Sequence, residues 1–214
     1  MGKRTRDIIV ATLAVGAAGV SIYFALAGRS PKINLDTYHV LGAVTAEETA
    51  RLLGNKGQVL VMVRDTGPNE NPSVEAELKA FQNALKSQKG ISVLVERIQG
   101  SPMQMMATGG GVPPEQFLQA LKVHSGLGAV VLFMGFPQLS NSELEVLKQS
   151  GVKTVVACAL RPGDEKLIER QSINLALVPR SDSPPPDAPA ARTLRERFDQ
   201  EFRIIGPAAA PERR

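Results

Sequence analysis

Short, continuously apolar segments alternate with amphipathic segments between residues 58 and 180, and this alternation constrains the fold more than any other feature. Continuous apolar runs are typical of strands buried on both faces of a sheet. Strands that alternate with amphipathic helices indicate a parallel sheet covered by helices on both sides. We therefore predict a doubly wound α/β fold with a mainly parallel five-stranded sheet of order 2-1-3-4-5. The predicted strands are 58–64, 91–98, 128–134, 152–157 and 173–178.

Capping patterns predict where several helices begin. Thr45 and Glu48 have capping-box spacing, which predicts a short helix that ends near Leu53. Asn71, followed by proline, predicts the start of the next helix. Ser140, with a glutamate three residues later, predicts another.

Two further expectations concern the segments between these starts. Phe81 and Leu85 recur at helical spacing, so we expect them to face the sheet. The glycine-containing stretch 99–112 is predicted to be a loop. Gly109-Gly110-Gly111 within it lacks the strand–turn–helix context of a phosphate-binding loop.

The N-terminal segment predicts membrane attachment or export. Residues 8–28 carry no charged side chain and follow Lys3, Arg4 and Arg6. An apolar run of this length spans a bilayer as a helix, and the preceding cations place the N-terminus in the cytoplasm. Ala25-Leu26-Ala27 also fits a signal-peptide cleavage site, although the run is longer than a typical signal core. We predict a single-pass anchor in the inner or plasma membrane, with a cleaved signal peptide as the alternative, and a periplasmic domain.

The composition changes again after residue 180. Residues 181–191 are rich in proline and predict an extended linker. Leu194, Phe198 and Phe202 then form one apolar stripe, which fits either docking on the domain or docking on a partner protein. The predicted organisation is a membrane anchor or signal peptide (1–28), a juxtamembrane linker (29–44), an α/β domain (45–180), a Pro-rich linker (181–191), an amphipathic helix (192–205) and a disordered tail (206–214).

Charge and residue types exclude several chemistries. The net charge is +4, and half of it lies in the first 28 residues, where three cations oppose Asp7. That distribution, with 4% aromatic residues and no Trp, argues against nucleic-acid binding. Cys158 is the single cysteine and is predicted to be a buried core thiol. His39 and His124 are the only histidines, and His124 is expected to end a helix. We expect no catalytic residues, metal site or cofactor.

The order of elements resembles one lobe of the periplasmic sugar-binding proteins and the lactose-repressor-type effector domains. The resemblance is carried by the strand 59–63, the Asn71-Pro72 helix start, the apolar run 128–132 and the strand 151–156, and it covers about residues 58–180. It implies a small-molecule site. Ser73 and Val74 stand where that family commonly has aromatic residues that stack on sugar. Cys158 and Ala159 stand where many members have an acidic residue and an arginine.

Open α/β sheets bind ligands in the crevice at the carboxyl ends of their strands, where the strand order reverses. That rule selects residues 65–71, residues 135–138 and the loop after the fourth strand. The candidate ligand-binding residues are Asp65, Asn69, Asn71, Phe136 and Arg161.

Two functions follow from these features. The first is a non-catalytic interaction or scaffold module of the cell envelope, with an envelope protein as partner. The alternative is a ligand-binding sensor or solute-binding component derived from one periplasmic-binding-protein lobe.

Overall fold

The predicted apolar runs form neighbouring strands of one sheet. The computed structural model describes residues 2, 21, 34–67, 71–158, 160–182 and 191–206. The strands are β1 (Gly57–Arg64), β2 (Ile91–Ile98), β3 (Leu127–Leu132), β4 (Lys153–Ala157), β5 (Leu175–Pro179) and β6 (Phe202–Ile205). The helices are α1 (Asp36–Leu52), α2 (Pro72–Leu85), α3 (Pro102–Ala107), α4 (Pro114–Val123), α5 (Asn141–Ser150), α6 (Glu165–Glu169) and α7 (Leu194–Glu201).

The strand order is β2-β1-β3-β4-β5-β6, which contains the predicted order 2-1-3-4-5. Strands β1 to β5 pair in parallel, as predicted. The predicted number of strands was wrong, because β6 adds a sixth strand antiparallel to β5, with Leu177 opposite Ile204. The sequence pattern predicts that residues 202–205 belong to the terminal helix, whereas they form this strand. The apolar residues of this segment are compatible with a helix as well as with a strand. Pairing with β5 is what makes the segment a strand.

Both faces of the sheet are covered, which explains why the strand sequences do not alternate. Val59, Leu60, Val61, Met62 and Val63 are all fully buried. The odd-numbered residues of this run pack in a cluster with α1, α2 and α7, and the even-numbered residues pack in a second cluster with α3 to α6. Continuous burial of a strand therefore results from a helical layer on each side.

Helix α1 begins nine residues before the predicted start at Thr45, at Asp36. Thr45 and Glu48 are buried in the middle of the helix, where the Thr45 hydroxyl donates to the Leu41 carbonyl at 2.7 Å. The capping box at this position and the linker assignment of residues 36–44 were therefore wrong. No side-chain cap marks the true start at Leu35, so the sequence offers no local signal for it.

Helices α1 and α2 cross at very short range. A Cβ atom added to Gly42 would lie 2.2 Å from the Glu77 carbonyl oxygen, so only glycine fits this crossing. The close approach of α1 brings its first turn beside the carboxyl ends of the strands.

Several other expectations have a clear outcome. Phe81 is fully buried and Leu85 is 3% exposed, as predicted. The Ser140 capping box is present in both directions.

Residues 99–112 do not form a simple loop, because Ser101 caps α3 through a capping box with Gln104. Ser101 is followed directly by proline and, three residues later, by glutamine, which is a sequence signal for a helix start that the loop prediction did not use.

The terminal helix α7 packs on the domain. Phe198 is fully buried and Phe202 is 6% exposed, whereas Leu194 remains 41% exposed. The two rings stack with centroids 5.4 Å apart. Of the two docking alternatives for this stripe, the described residues show the one on the domain itself.

No helix in the described part of the chain is long and apolar enough to cross a membrane. The predicted anchor, 8–28, lies outside the described residues except for Ser21. Most of the Pro-rich linker and of the tail also lies outside them. A boundary between compact units falls between Asn34 and Leu35.

Candidate functional site

A crevice of about 400 Å³ opens at the carboxyl ends of β1, β3 and β4. It lies where the strand order reverses between β1 and β3, which is the predicted locus. Its lining residues are Tyr38, Arg64, Asn71, Ser73, Val74, Glu77, Gly109, Gly110, Phe133, Met134, Gly135, Cys158 and Arg161. We refer to this set as the crevice.

The N-terminus of α2 forms one wall. The Asn71 side chain accepts from the Ser73 backbone N–H at 3.0 Å and caps the helix, as its sequence position predicted. The Asn71 backbone N–H in turn donates to the Thr66 hydroxyl at 3.0 Å. Asn71 therefore both caps the helix and lines the crevice.

Arg161 is held rigidly by neighbouring acceptors. Its Nε lies 3.3 Å from Asp164 Oδ2, and its Nη1 donates to the Thr108 carbonyl at 3.1 Å. Its Nη2 donates to the Phe136 carbonyl. These bonds link the loop after β4 to the loops after α3 and β3, so Arg161 both lines the crevice and joins its walls.

Arg64 occupies a different environment at the end of β1. Its side chain is exposed, and no ion-pair partner for it is found among the described residues. It lines the crevice and also a neighbouring hollow that includes Met105 and Met106. Its charge is therefore available to a ligand.

A glycine turn separates the two arginines. Gly109 and Gly110 have φ values of +58° and +77°, in the left-handed region that favours glycine. A Cβ atom added to Gly110 would lie 3.9 Å from Arg64 Nη2, and one added to Gly109 would lie 3.4 Å from Arg161 Cδ. Both distances are ordinary van der Waals contacts, so the left-handed backbone, and not close packing against the arginines, favours glycine at these two positions. The glycines of this turn are part of the site, although the sequence alone indicated only a flexible loop.

Glu77 is a buried carboxyl in the wall of the crevice. It is 8% exposed, and no hydrogen-bond partner for its carboxyl group is found among the described residues. Burial raises the pKa of Glu77 from its ordinary value of 4.5 to about 8, because the charged form loses its hydration. At neutral pH this group is therefore largely the neutral acid, whose hydroxyl can donate a hydrogen bond to a ligand.

Cys158 also lines the crevice, which corrects the expectation of a core thiol. It follows the last residue of β4 and is only partly buried. Burial, with a smaller effect of the Asp164 charge, raises the pKa of the Cys158 thiol to about 12. The thiolate required of a nucleophile is therefore disfavoured.

The structure places only two of the five predicted site residues in the lining of the crevice. Asn71 and Arg161 line the crevice. Asp65 instead shapes the turn after β1, where it accepts from the Gly67 backbone N–H at 2.9 Å and from Gln99 at 3.2 Å. The Phe136 ring is buried, and only its carbonyl contributes, through Arg161. Asn69 lies outside the described residues.

Sequence reasoning missed Tyr38 and Glu77 as lining residues. Glu77 could have been found, because it is a carboxylate two turns into α2 between the apolar positions Val74 and Leu78. Tyr38 could not, because it was assigned to a linker and reaches the crevice only through the crossing of α1 over α2.

A second hollow, of about 510 Å³, lies between β2 and α4 and includes Glu96 and His124. His124 Nε2 lies 3.5 Å from Glu96 Oε2, and both side chains are about one-third exposed. This hollow lies on the flank of the sheet and not at the strand ends. The smaller crevice is the one that lies at the carboxyl ends of the strands. Among the described residues, no group of three His, Cys, Asp or Glu side chains could hold a metal ion.

Comparison with known proteins supports the fold. No protein-family model and no curated protein matches the sequence. Among solved structures, a glucose-galactose binding protein, GanP from Geobacillus stearothermophilus, has a TM-score of 0.54 at 13% identity, over 82% of this chain and 62% of its own. A structure described as the XylFII-LytSN complex has a TM-score of 0.53 at 10% identity, over 80% of this chain and 60% of the other.

A sugar ABC transporter (sugar-binding protein) from Bacillus halodurans has a TM-score of 0.49 at 16% identity, over 66% of this chain and 46% of its own. This chain therefore spans 46% to 62% of the length of these three structures. The predicted resemblance to one lobe of the sugar-binding proteins is confirmed at the level of the fold.

Proposed function

We propose that this protein is a non-catalytic solute-binding module, a single lobe that binds a small polar molecule in the crevice at the cell envelope. The observation that carries the proposal is the convergence of Arg64, Arg161, Glu77 and Asn71 at the reversal point of the sheet. Open α/β sheets bind ligands at this position. The fold likeness to GanP, described as a glucose-galactose binding protein, supports the same reading.

The polar groups of the crevice suit binding better than catalysis. The Cys158 thiol has a raised pKa, and Arg161 is engaged by protein acceptors. Ligand sites typically combine a mainly apolar lining with a few convergent polar groups. Here Val74 is partly exposed in the lining, and the largely buried Phe133 and Met134 border it.

Ligand binding is tested by thermal unfolding of the full-length protein in detergent against a panel of sugars, polyols and their acid derivatives. A binding ligand raises the melting temperature, since it stabilises only the folded state. A Glu77→Gln variant should alter the response to the binding compounds, and a Glu145→Gln variant on the exposed face of α5 should not. If no compound of the panel raised the melting temperature, this result would contradict the proposal.

Attachment to the membrane through residues 8–28 belongs to the same proposal. It is supported by the uncharged run and the preceding cations. The test is fractionation of cells that express the full chain with a C-terminal tag, followed by protease treatment of spheroplasts. We expect the tag in the membrane fraction and digestion from outside. Recovery of the tag only in the soluble periplasmic fraction would show that the segment is cleaved.

A second candidate function, an interaction module, is favoured by one observation. Met103 and Met106 on α3 are 80% and 83% exposed, and Met106 lines the hollow that shares Arg64 with the crevice. Exposed methionines are common at adaptable binding surfaces. One structural neighbour was solved as the XylFII-LytSN complex. A photo-crosslinking residue at position 106 should then give one adduct of defined mass in membranes, and the same residue at the exposed Val146 should give none.

A further inference from the structure

We infer that the solute held in the crevice is a small carboxylic acid and not a neutral sugar, with Arg64 as the residue that binds its carboxylate. This inference rests on the proposed function and names the class of ligand.

The first argument is the difference between the two arginines. Arg161 is already bonded to Asp164, to the Thr108 carbonyl and to the Phe136 carbonyl. Arg64 has an exposed side chain with no ion-pair partner among the described residues. A guanidinium group presents paired donors that match a carboxylate in a bidentate geometry. Of the two arginines that line the crevice, Arg64 is therefore the one whose guanidinium group is available to pair with a ligand carboxylate.

The second argument concerns the nearby carboxyl groups. Asp65, next in sequence to Arg64, accepts hydrogen bonds from the neutral Gly67 backbone N–H and the neutral Gln99 amide, and it keeps its negative charge without forming an ion pair with Arg64. Asp164 is engaged by Arg161. Glu77 has a raised pKa because of its burial, so at neutral pH it adds little negative charge to the crevice and can donate a hydrogen bond to a ligand oxygen. None of these three carboxyl groups forms an ion pair with Arg64, so its guanidinium donors remain open to a ligand carboxylate.

The third argument concerns the lining of the crevice at the start of α2 and at Phe133, where few aromatic rings are exposed. Ser73 and Val74 occupy the start of α2 facing the crevice, and the Phe133 ring is only 8% exposed. Phe133 packs edge-to-face on Phe81, with centroids 5.8 Å apart, so its ring belongs to the core. A flat aromatic surface on which a sugar ring could stack is offered only by Tyr38 among the described lining residues. Charge pairing at Arg64 is therefore the stronger source of affinity.

The experiment uses matched ligand pairs that differ in a carboxylate: D-galacturonate with D-galactose, and D-glucuronate with D-glucose. The acid panel also includes malate and citrate. Binding to the full-length protein in detergent is measured by calorimetry. We expect at least one acid to bind at least about tenfold more tightly than its neutral counterpart or, for malate and citrate, than any neutral compound. A tenfold difference in the dissociation constant corresponds to about 1.4 kcal/mol of binding free energy. Raised salt should weaken this binding.

Variants identify the group responsible. Arg64→Gln should remove the preference for the acid, and Arg51→Gln should leave it unchanged, because Arg51 lies in the last turn of α1 and pairs with Glu48. Thermal unfolding of each variant without ligand shows whether it is folded.

Each outcome decides the inference. Binding of a neutral sugar as tightly as any acid would overturn it and leave the proposed function standing. A preference for acids that survives Arg64→Gln would also overturn it. Absence of binding by every acid and every neutral compound would overturn both the inference and the proposed function.

Discussion

Arg195 and Glu48 form an ion pair between the last helix and the first helix of the domain, with Arg195 Nη1 2.6 Å from Glu48 Oε1. The Glu48 side chain is only 8% exposed, and its other oxygen lies 2.6 Å from Arg51 Nη1. Glu48 is therefore neutralised from two sides. Phe198 and Phe202 belong to the core cluster on the same face of the sheet, so the residues after the Pro-rich segment contribute both this ion pair and part of the core.

Removal of residues 192–214 should destabilise the domain strongly. It exposes the cluster beneath Phe198 and Phe202, leaves Glu48 without Arg195 and removes β6 from the sheet edge. Each fully buried aromatic side chain contributes about 1.5 to 3 kcal/mol. Denaturant unfolding should show a much lower midpoint. The matched control, removal of residues 207–214 only, should leave the midpoint unchanged, and equal midpoints for both truncations would contradict the docking.

Phe81→Ala should cost about 3 to 5 kcal/mol, since the ring is fully buried and packs against Phe133. The free energy of unfolding from chemical denaturation measures the loss. Val123→Ala, at a position that is 66% exposed on α4, serves as the control and should cost far less. A small effect of Phe81→Ala would mean that the core between α2 and the sheet relaxes into the space left by the ring.

Glu77 should make the domain less stable as the pH rises. Its pKa is raised from 4.5 to about 8 by burial, so between these values the folded state holds a proton that the unfolded state has released. Its contribution to stability therefore declines from about pH 4.5 and is lowest above about pH 8. Each pKa unit corresponds to about 1.4 kcal/mol.

Glu77→Gln tests this pH dependence, because glutamine is neutral at every pH. As the pH rises from about 5 to about 9, the melting temperature of the variant should increase relative to that of the unchanged protein. Glu145→Gln, at an exposed position, should show no such trend. A difference that is constant with pH would mean that Glu77 is hydrated in the folded state.

Cys158 should react slowly with iodoacetamide in the folded protein. Its thiol pKa is raised to about 12, and alkylation requires the thiolate. We expect a rate at about pH 8 that is at least about tenfold below that of the unfolded protein in urea. Ser92→Cys in a Cys158→Ser background places an exposed thiol on β2 and should react rapidly. Because Cys158 lines the crevice, a bound ligand should slow its reaction further.

The sequence determined the sheet and much of the helical framework. The run 59–63 is apolar at every position because helices cover both faces, and this pattern is visible without a structure. Asn71 and Ser140 marked helix starts because a capping side chain bonds to its own local backbone. Interactions between near neighbours in sequence leave such local patterns, and the same reasoning located the crevice and two of its residues, Asn71 and Arg161.

Tertiary structure decided what depends on partners distant in sequence. Segment 202–205 became a strand because β5 offered it an edge, and α1 was extended to Asp36 because its first turns pack on the domain without a cap. Glu77 has a raised pKa because the folded chain buries its carboxyl group. Arg161 has carbonyl and carboxylate acceptors within hydrogen-bond distance, and Arg64 has no ion-pair partner among the described residues. Burial and charge pairing are sums over neighbours from several elements, so no local sequence pattern determines them.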